Sequence, residues 1–260
     1  MVIEKYMEHI NELDSMKKYP KELYSIGDKT LLKRPKVSIV GTRRPSSYTK
    51  QYTYTLAKTL ADRGVIIVSG VAMGVDAIAH NGAGVKNTIA VVANGLDIRY
   101  PAVNRFLIKD IEDNGLLLSQ FPIGFKATPW SFVVRNELVV ALGSVLIVTE
   151  ADEDSGSIRS IEFALKMGKK VFVLPHRLNE SIGTNKLIEN GLVTPIYDIE
   201  KFANSYGVVP KNNDIKKDEF FYFCQTSPTL DEVVAKFQDR VYEAELEGLI
   251  KIENGLVHLI

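Results

Sequence analysis

Apolar and polar positions alternate along this chain on two scales. Short β-branched or leucine runs, "KVSIV" (36–40), "VIIVSG" (65–70), "TIAVVANG" (88–95), "GLLLSQ" (115–120), "SVLIVTEA" (144–151) and "KKVFVLP" (169–175), lead into glycine, proline or small polar residues. Longer amphipathic stretches lie between them. In "YTKQYTYTLAKTLADRG" (48–64) Tyr52, Leu56 and Leu60 recur at i, i+4 ahead of Gly64, and "IRSIEFALKMG" (158–168) has a comparable stripe; both predict helices. Strands so continuously apolar are covered on both faces. The expected fold is therefore α/β, a Rossmann-like parallel sheet with helices on both faces, and its ligands bind beyond the carboxyl ends of the strands.

The strand exits share one chemistry. "GTRRPSS", "SGVAMGVDAIAH", "ANGLDIRYP" and "TEADEDSGSIRS" are rich in glycine, hydroxyls and arginine. Glycine lets backbone amides approach an anion, serine adds small donors, and each following helix directs its partly positive N-terminus to the same place. Neither standard nucleotide fingerprint is present: no GxGxxG follows a strand and no GxxxxGK[ST] occurs, which disfavours a bound dinucleotide or a hydrolysed triphosphate.

Composition narrows this further. With 260 residues, 45% of them apolar, the chain suffices for one sizeable core and a small second domain. Formal net charge is zero, but residues 1–213 hold 27 basic and 22 acidic side chains while residues 214–260 hold 5 and 10. A polyanion site thus belongs to the larger part and must be a local cluster. The single cysteine, Cys224, excludes an internal disulfide and reads as a core thiol, and four scattered histidines offer no metal-ligand spacing. No apolar run is long enough to span a membrane and the first residues carry acids, so a cytoplasmic protein without metal or cofactor is expected.

The order "IVGTRRPSSY", "VSGVAMGVDAIAH", "TIAVVANGLDIRYP", "LLLSQFPIG", "FVVRNELVVALGSVLIVTEA", "SGSIRSIEFAL" and "VFVLP" resembles the DNA-processing protein A (DprA or Smf) family over about residues 20–200. The resemblance implies a non-enzymatic, homodimeric protein with an extended Rossmann domain. It implies binding of single-stranded DNA and loading of the recombinase RecA during natural transformation. It also implies site residues: Gly41, Thr42 and Arg43 in the phosphate-binding turn, with Arg44 beside them; Ser69, Gly70 and Gly74 in a second glycine-bearing turn; Arg135 and Asn136; and Ser155, Gly156 and Ser157 after the "TEA" strand.

From the residues themselves, guanidinium forks suit phosphate oxygens, and amides and hydroxyls complete a cradle. Phe132, three before Arg135, would share its helix face and offer a base a stacking surface, with Trp130 a second candidate. Alternatives stand beside these roles: solvated loop arginines, glycines that serve only tight turns, and Phe132 as a core ring. Asp76 and His80 at i, i+4 read as a first-turn carboxylate and its neighbour rather than an acid-base pair. Two features depart from the family pattern. Glu137 stands where a second arginine is usual, and Asp152, Glu153 and Asp154 flank the serine-glycine loop, with Arg44, Lys50 or Lys126 as compensating charge.

Four segments are expected: a helical extension (1–35) packed on the sheet's edge, the Rossmann-like DNA-binding domain (36–203), a linker (204–217) and an acidic winged-helix-like domain (218–260). The last carries a hairpin signal at Asn254-Gly255. The competing readings are a nucleotide phosphoribohydrolase, for which Glu162 is the only helical carboxylate near the required position, and a nucleotide-binding sensor.

Overall fold

The computed structural model describes residues 2–208, 219–224, 226–246 and 249–259, and separates into two compact units, residues 1–208 and 209–260. In the first, nine strands form one sheet in the order β1-β2-β6-β5-β4-β3-β7-β8-β9. They are β1 (Glu4–Lys5), β2 (Tyr24–Gly27), β3 (Lys36–Val40), β4 (Ile66–Ser69), β5 (Thr88–Val92), β6 (Leu116–Ser119), β7 (Leu146–Val148), β8 (Val171–Val173) and β9 (Thr194–Pro195). From β6 to β9 every pairing is parallel. Every residue of β3 to β7 is buried, as their predominantly apolar runs require, and so are the polar Lys36, Ser38, Ser69, Thr88 and Ser119 among them.

Alternate side chains of these strands feed two layers. Val37, Ile39 and Ile67 pack with Leu56, Ala57 and Leu60 of α1 (Ser47–Ala61) and Val75 and Ala79 of α2 (Val75–Ala83). Val40, Val68, Val91 and Leu118 pack with Leu138, Val139 and Leu142 of α4 (Pro129–Leu142) and Ile161 of α5 (Gly156–Lys166). On the first side, α3 (Arg105–Asn114) covers Ala90, Val92 and Leu117 through Ile108 and Ile111. Two shorter helices, α6 (Ile182–Glu189) and α7 (Ile199–Asn204), flank β9 in the chain. Among the described residues no helix is long and apolar enough to cross a membrane.

Helix α1 differs from its expected face in one residue. Leu56 and Leu60 are fully buried, but Tyr52 is 38% exposed, and Thr49 and Thr53 complete the buried stripe instead. Ser46 caps the helix by accepting from the Thr49 amide at 3.2 Å.

The first 35 residues are not the helical extension expected. Glu4–Lys5 and Tyr24–Gly27 extend the sheet as antiparallel edge strands, Tyr24 pairing with Ser119 and Gly27 with Leu116. The stretch 11–15 forms only a short 3-10 helix, because its apolar side chains Ile10, Leu13 and Met16 recur every three residues and Pro20 interrupts the pattern soon after.

At the other end of this unit, Val208 still donates its amide to Arg63 O at 3.0 Å, so residues 204–208 of the expected linker pack on the first unit. Residues 209–217 lie outside the described residues. The second unit contains α8 (Glu219–Cys224), α9 (Leu230–Phe237) and α10 (Arg240–Leu246), followed by a hairpin of β10 (Ile250–Glu253) and β11 (Leu256–Leu259). Asn254 and Gly255 both have positive φ, the conformation this two-residue turn demands. Phe220, Cys224, Val233, Val241, Ile250 and Val257 form its core, which places the lone thiol inside.

Candidate nucleic-acid interface

Strand order creates the cleft. After β3 the chain builds β4, β5 and β6 to one side, then returns to place β7, β8 and β9 on the other, so the turns leaving β3 and β7 diverge from neighbouring strands. A crevice at this reversal is the binding position of doubly wound sheets. It measures about 250 Å³ and is lined by Gly41, Thr42 and Arg43 after β3, Arg135 and Asn136 of α4, and Ser155, Gly156 and Ser157 at the start of α5. Eight of the expected site residues therefore meet in one cavity.

Close backbone packing sets its shape. Gly74, the residue before α2, has φ +80°, and a β-carbon there would stand 2.5 Å from Thr42 O and 2.6 Å from the Arg43 carbonyl carbon. Val75 donates its amide to Thr42 O at 3.1 Å, and Thr42 donates its own to Glu150 O at 2.9 Å. Gly41 in turn faces the Val75 side chain, 2.7 Å from where its β-carbon would lie. Gly41 and Gly74 thus serve close approach, which holds the Arg43 turn between α2 and the end of β7.

Arg43 is exposed, with its guanidinium carbon 5.4 Å from the centroid of Phe132. Phe132 is half-buried and also lies 5.8 Å from the Arg135 guanidinium. Cation–π contact orients Arg43 without consuming its donors, which stay available to an anion.

Arg135 departs from the expected role. It is 4% exposed, and its Nη1 donates to Gly70 O and, at 3.0 Å, to Val91 O. Burial pulls its pKa down, opposed by the charge of Asp76 and reinforced by Arg43; an arginine keeps its proton nonetheless. Its Nε has no hydrogen-bond partner among the described residues, and neither does the buried hydroxyl of Ser155, which precedes α5 without capping it. Both residues line the cleft, which thus holds two unmatched buried polar groups at its floor and at a helix N-terminus. Such groups suit an anionic ligand.

Asp76 and His80 are buried beside this arginine. Burial drives the Asp76 carboxyl up against the opposing charge of Arg135, and drives His80 down to about 3 with Arg135 as the second cause. Asp76 accepts from the Ala72 amide at 3.3 Å, and the His80 ring bonds Thr88 Oγ1. His80 is an interior group beneath the cleft, and Asp76, though buried, also lines it.

Other expected residues do not converge. Ser69 is fully buried and gives its hydroxyl to Ile39 O at 2.6 Å, because the last residue of an interior strand points into the sheet. Gly70 lines a smaller adjoining pocket, with Arg43, Phe132 and Arg135. Arg44 is exposed, its amide on Thr42 Oγ1 at 3.2 Å, and is not among the residues lining the cleft. Lys50, Lys126, Glu137 and the acids Asp152, Glu153 and Asp154 are absent from that lining too, and Glu153 pairs with Lys186 at 2.9 Å. Trp130 is 63% exposed, its ring edge-on to Phe121 at 5.9 Å. Glu162 is exposed on α5 and lines neither pocket, so the phosphoribohydrolase reading lacks its carboxylate.

Sequence reasoning missed Tyr100, which lies 6.2 Å from Phe132 and lines the adjoining pocket. An aromatic just before a proline in a strand-exit turn was the available signal.

A family model described as DNA recombination-mediator protein A matches residues 2–207. The DNA processing protein DprA of Bacillus subtilis is 38% identical over 178 residues, covering 66% of this chain and 60% of that protein. Protein Smf of Synechocystis is 37% identical over 180 residues, 68% of this chain and 45% of its own length. The chain thus spans about half the length of these curated relatives. Among solved structures, DNA processing protein A of Helicobacter pylori, described with a single-stranded DNA binding mode, is 46% identical at a TM-score of 0.76, covering 78% of this chain and 94% of that one. DprA of Streptococcus pneumoniae is 29% identical at 0.73, covering 80% and 75%.

Proposed function

The chain belongs to the DNA recombination-mediator protein A family, and from that premise we propose that it binds single-stranded DNA in the cleft at the ends of β3 and β7. One observation carries the reading: Arg43, an exposed residue, holds its guanidinium over the ring of Phe132 beside a cavity lined by the Gly41–Thr42 turn, Arg135 and the Ser155–Ser157 turn. Phosphates take the arginine, the Gly156 and Ser157 amides at the start of α5 and the unmatched Ser155 hydroxyl; a base takes the ring.

The site acts by holding rather than by chemistry. Its carboxylate, Asp76, is buried and turned to backbone. The turns are fixed before any strand arrives, so little loop ordering opposes binding. We extend the reading to the family role: a homodimer that protects an incoming strand and delivers it to RecA in recombination, with the acidic second unit, read as winged-helix-like, serving protein contact instead of phosphate contact.

A length series of dT oligomers tests the binding reading. Affinity should rise over roughly the first ten nucleotides and fall steeply with salt. A mononucleotide that binds as tightly as the oligomers would replace a strand-binding site with a nucleotide sensor.

A further inference from the structure

Resting on the single-strand reading above, we propose that Tyr100 is a second base platform, so that Phe132 and Tyr100 hold two neighbouring bases apart from one another. The Tyr100 ring is 48% exposed, and its hydroxyl bonds to no described residue, so it is neither a core ring nor a structural hydrogen-bonding tyrosine. Buried aromatic rings with a polar tip usually find a partner for it.

Its position is nonetheless fixed. Asn94 Nδ2 donates to Gly95 O at 2.9 Å and to Ile98 O at 2.6 Å, which ties down the turn leading to Tyr100. Just beyond it, Asn104 Nδ2 donates to Val71 O at 2.8 Å and Ala72 O at 3.1 Å. An exposed ring on a fastened turn is a preorganised surface.

The geometry relative to Phe132 defines what it can take. The two centroids are 6.2 Å apart and the planes are inclined at 47°. The pocket they share with Arg43 holds about 30 Å³, room for a few waters and not for a base. No base fits between the rings, so each offers its outward face to a different base. Bases on the two outward faces have both rings between them and cannot touch, which suits a strand whose bases are pulled out of mutual stacking. With Arg43 beside both rings, the phosphate between those two bases would meet its guanidinium. Such a pair of platforms rejects a duplex, in which neighbouring bases stay stacked and face their complements.

The test walks a single abasic site along the shortest dT oligomer that binds wild-type protein at full affinity, which leaves no room for sliding. Two adjacent positions should each weaken binding about 5- to 150-fold, the range set by one base–aromatic stack. In Tyr100→Ala the intact oligomer should bind weaker by that factor, one of the two positions should lose its sensitivity, and the salt dependence should not change. Tyr100→Phe should behave as wild type. Tyr100→Leu, which keeps bulk without a ring, repeats the test should the alanine variant fail to fold, and the wild-type walk stands independently of both. A wild-type protein that binds but shows a single sensitive position, or a folded Tyr100→Ala that binds as wild type, overturns the second platform and leaves the cleft intact. Failure of wild type to bind any oligomer removes the strand reading itself, and this platform with it.

Discussion

The guanidinium of Arg135 occupies the space that a side chain at position 70 would need: its Nη1 lies 1.7 Å from where a β-carbon on Gly70 would stand. That nitrogen also bonds Gly70 O and Val91 O, so the arginine joins the ends of β4 and β5 to helix α4. The absence of a side chain at 70 and the buried charge at 135 are one arrangement.

Gly70→Ala should therefore displace the guanidinium from both carbonyls. The long side chain can move, but only by abandoning its bonds inside the protein. Overpacking of this kind costs about 1–3 kcal/mol, and oligonucleotide binding should weaken with it because Phe132 loses one of its cationic neighbours. Urea denaturation and a binding titration check both; unchanged stability would mean that Arg135 finds an equivalent position.

Arg43→Ala should leave the fold intact, since the side chain is exposed, and should weaken single-strand binding. One lost phosphate contact makes the logarithmic salt dependence shallower by roughly 0.7. Arg43→Lys should restore the slope but only part of the affinity, because an ammonium lacks the fork and the stacking face. Titrations at several salt concentrations read both effects, and an unaltered slope in the alanine variant would take Arg43 out of contact with phosphate.

Phe132→Ala should weaken binding by about 1–3 kcal/mol at unchanged salt dependence, since a ring displaces no counterions. The contrast with Arg43 is the informative result. Equal affinity in a folded variant would return the ring to a purely structural role.

His80 makes stability acid-sensitive. Its folded value of about 3 lies below the ordinary 6.5, so between those limits the unfolded chain takes up a proton that the folded one refuses. Stability should fall as pH drops through that window, by on the order of 1.4 kcal/mol per unit. Asp76 acts the other way: its raised carboxyl is protonated first in the folded state, which stabilises as pH falls through its own window. In His80→Asn the acid loss should be smaller by close to one proton. Urea midpoints from pH 7 to 4 measure it, and identical acid profiles for variant and wild type would contradict the buried neutral ring.

A chain ending at Val208 should bind dT oligomers as the whole chain does, with the same salt slope, because every residue assigned to the cleft and the three cores beneath it lie before that point. Loss of binding by a folded truncated chain would place strand contacts beyond it.

The interior of the sheet was legible because β3 to β7 are dominated by apolar, mostly β-branched or leucine side chains on both faces, a pattern that only a sheet covered on both sides tolerates. Its antiparallel margin was not. Glu4–Lys5 is two exposed residues and Tyr24–Gly27 only four, too short for an alternation to stand out, while the threefold spacing of Ile10, Leu13 and Met16 passes for helical periodicity. The glycines and hydroxyls of the cleft were legible as a chemical type, but whether each side chain faces the cavity was not. Ser69 ends an interior strand and turns inward. Arg135 did leave a trace: with Leu138, Val139 and Leu142 it lies on the buried stripe of α4, so a charge there had to be an internal strut. Tyr100 was hidden in a turn whose position beside Phe132 depends on contacts far apart in the chain.

The contact between Gly74 and the backbone of Thr42 and Arg43 reaches beyond its own geometry. Because neither turn leaves room for the other to shift, the two are inherited as one mechanical piece, and a loop graft that transplants 41–44 into another scaffold without its 70–75 counterpart would carry the arginine but not its aim.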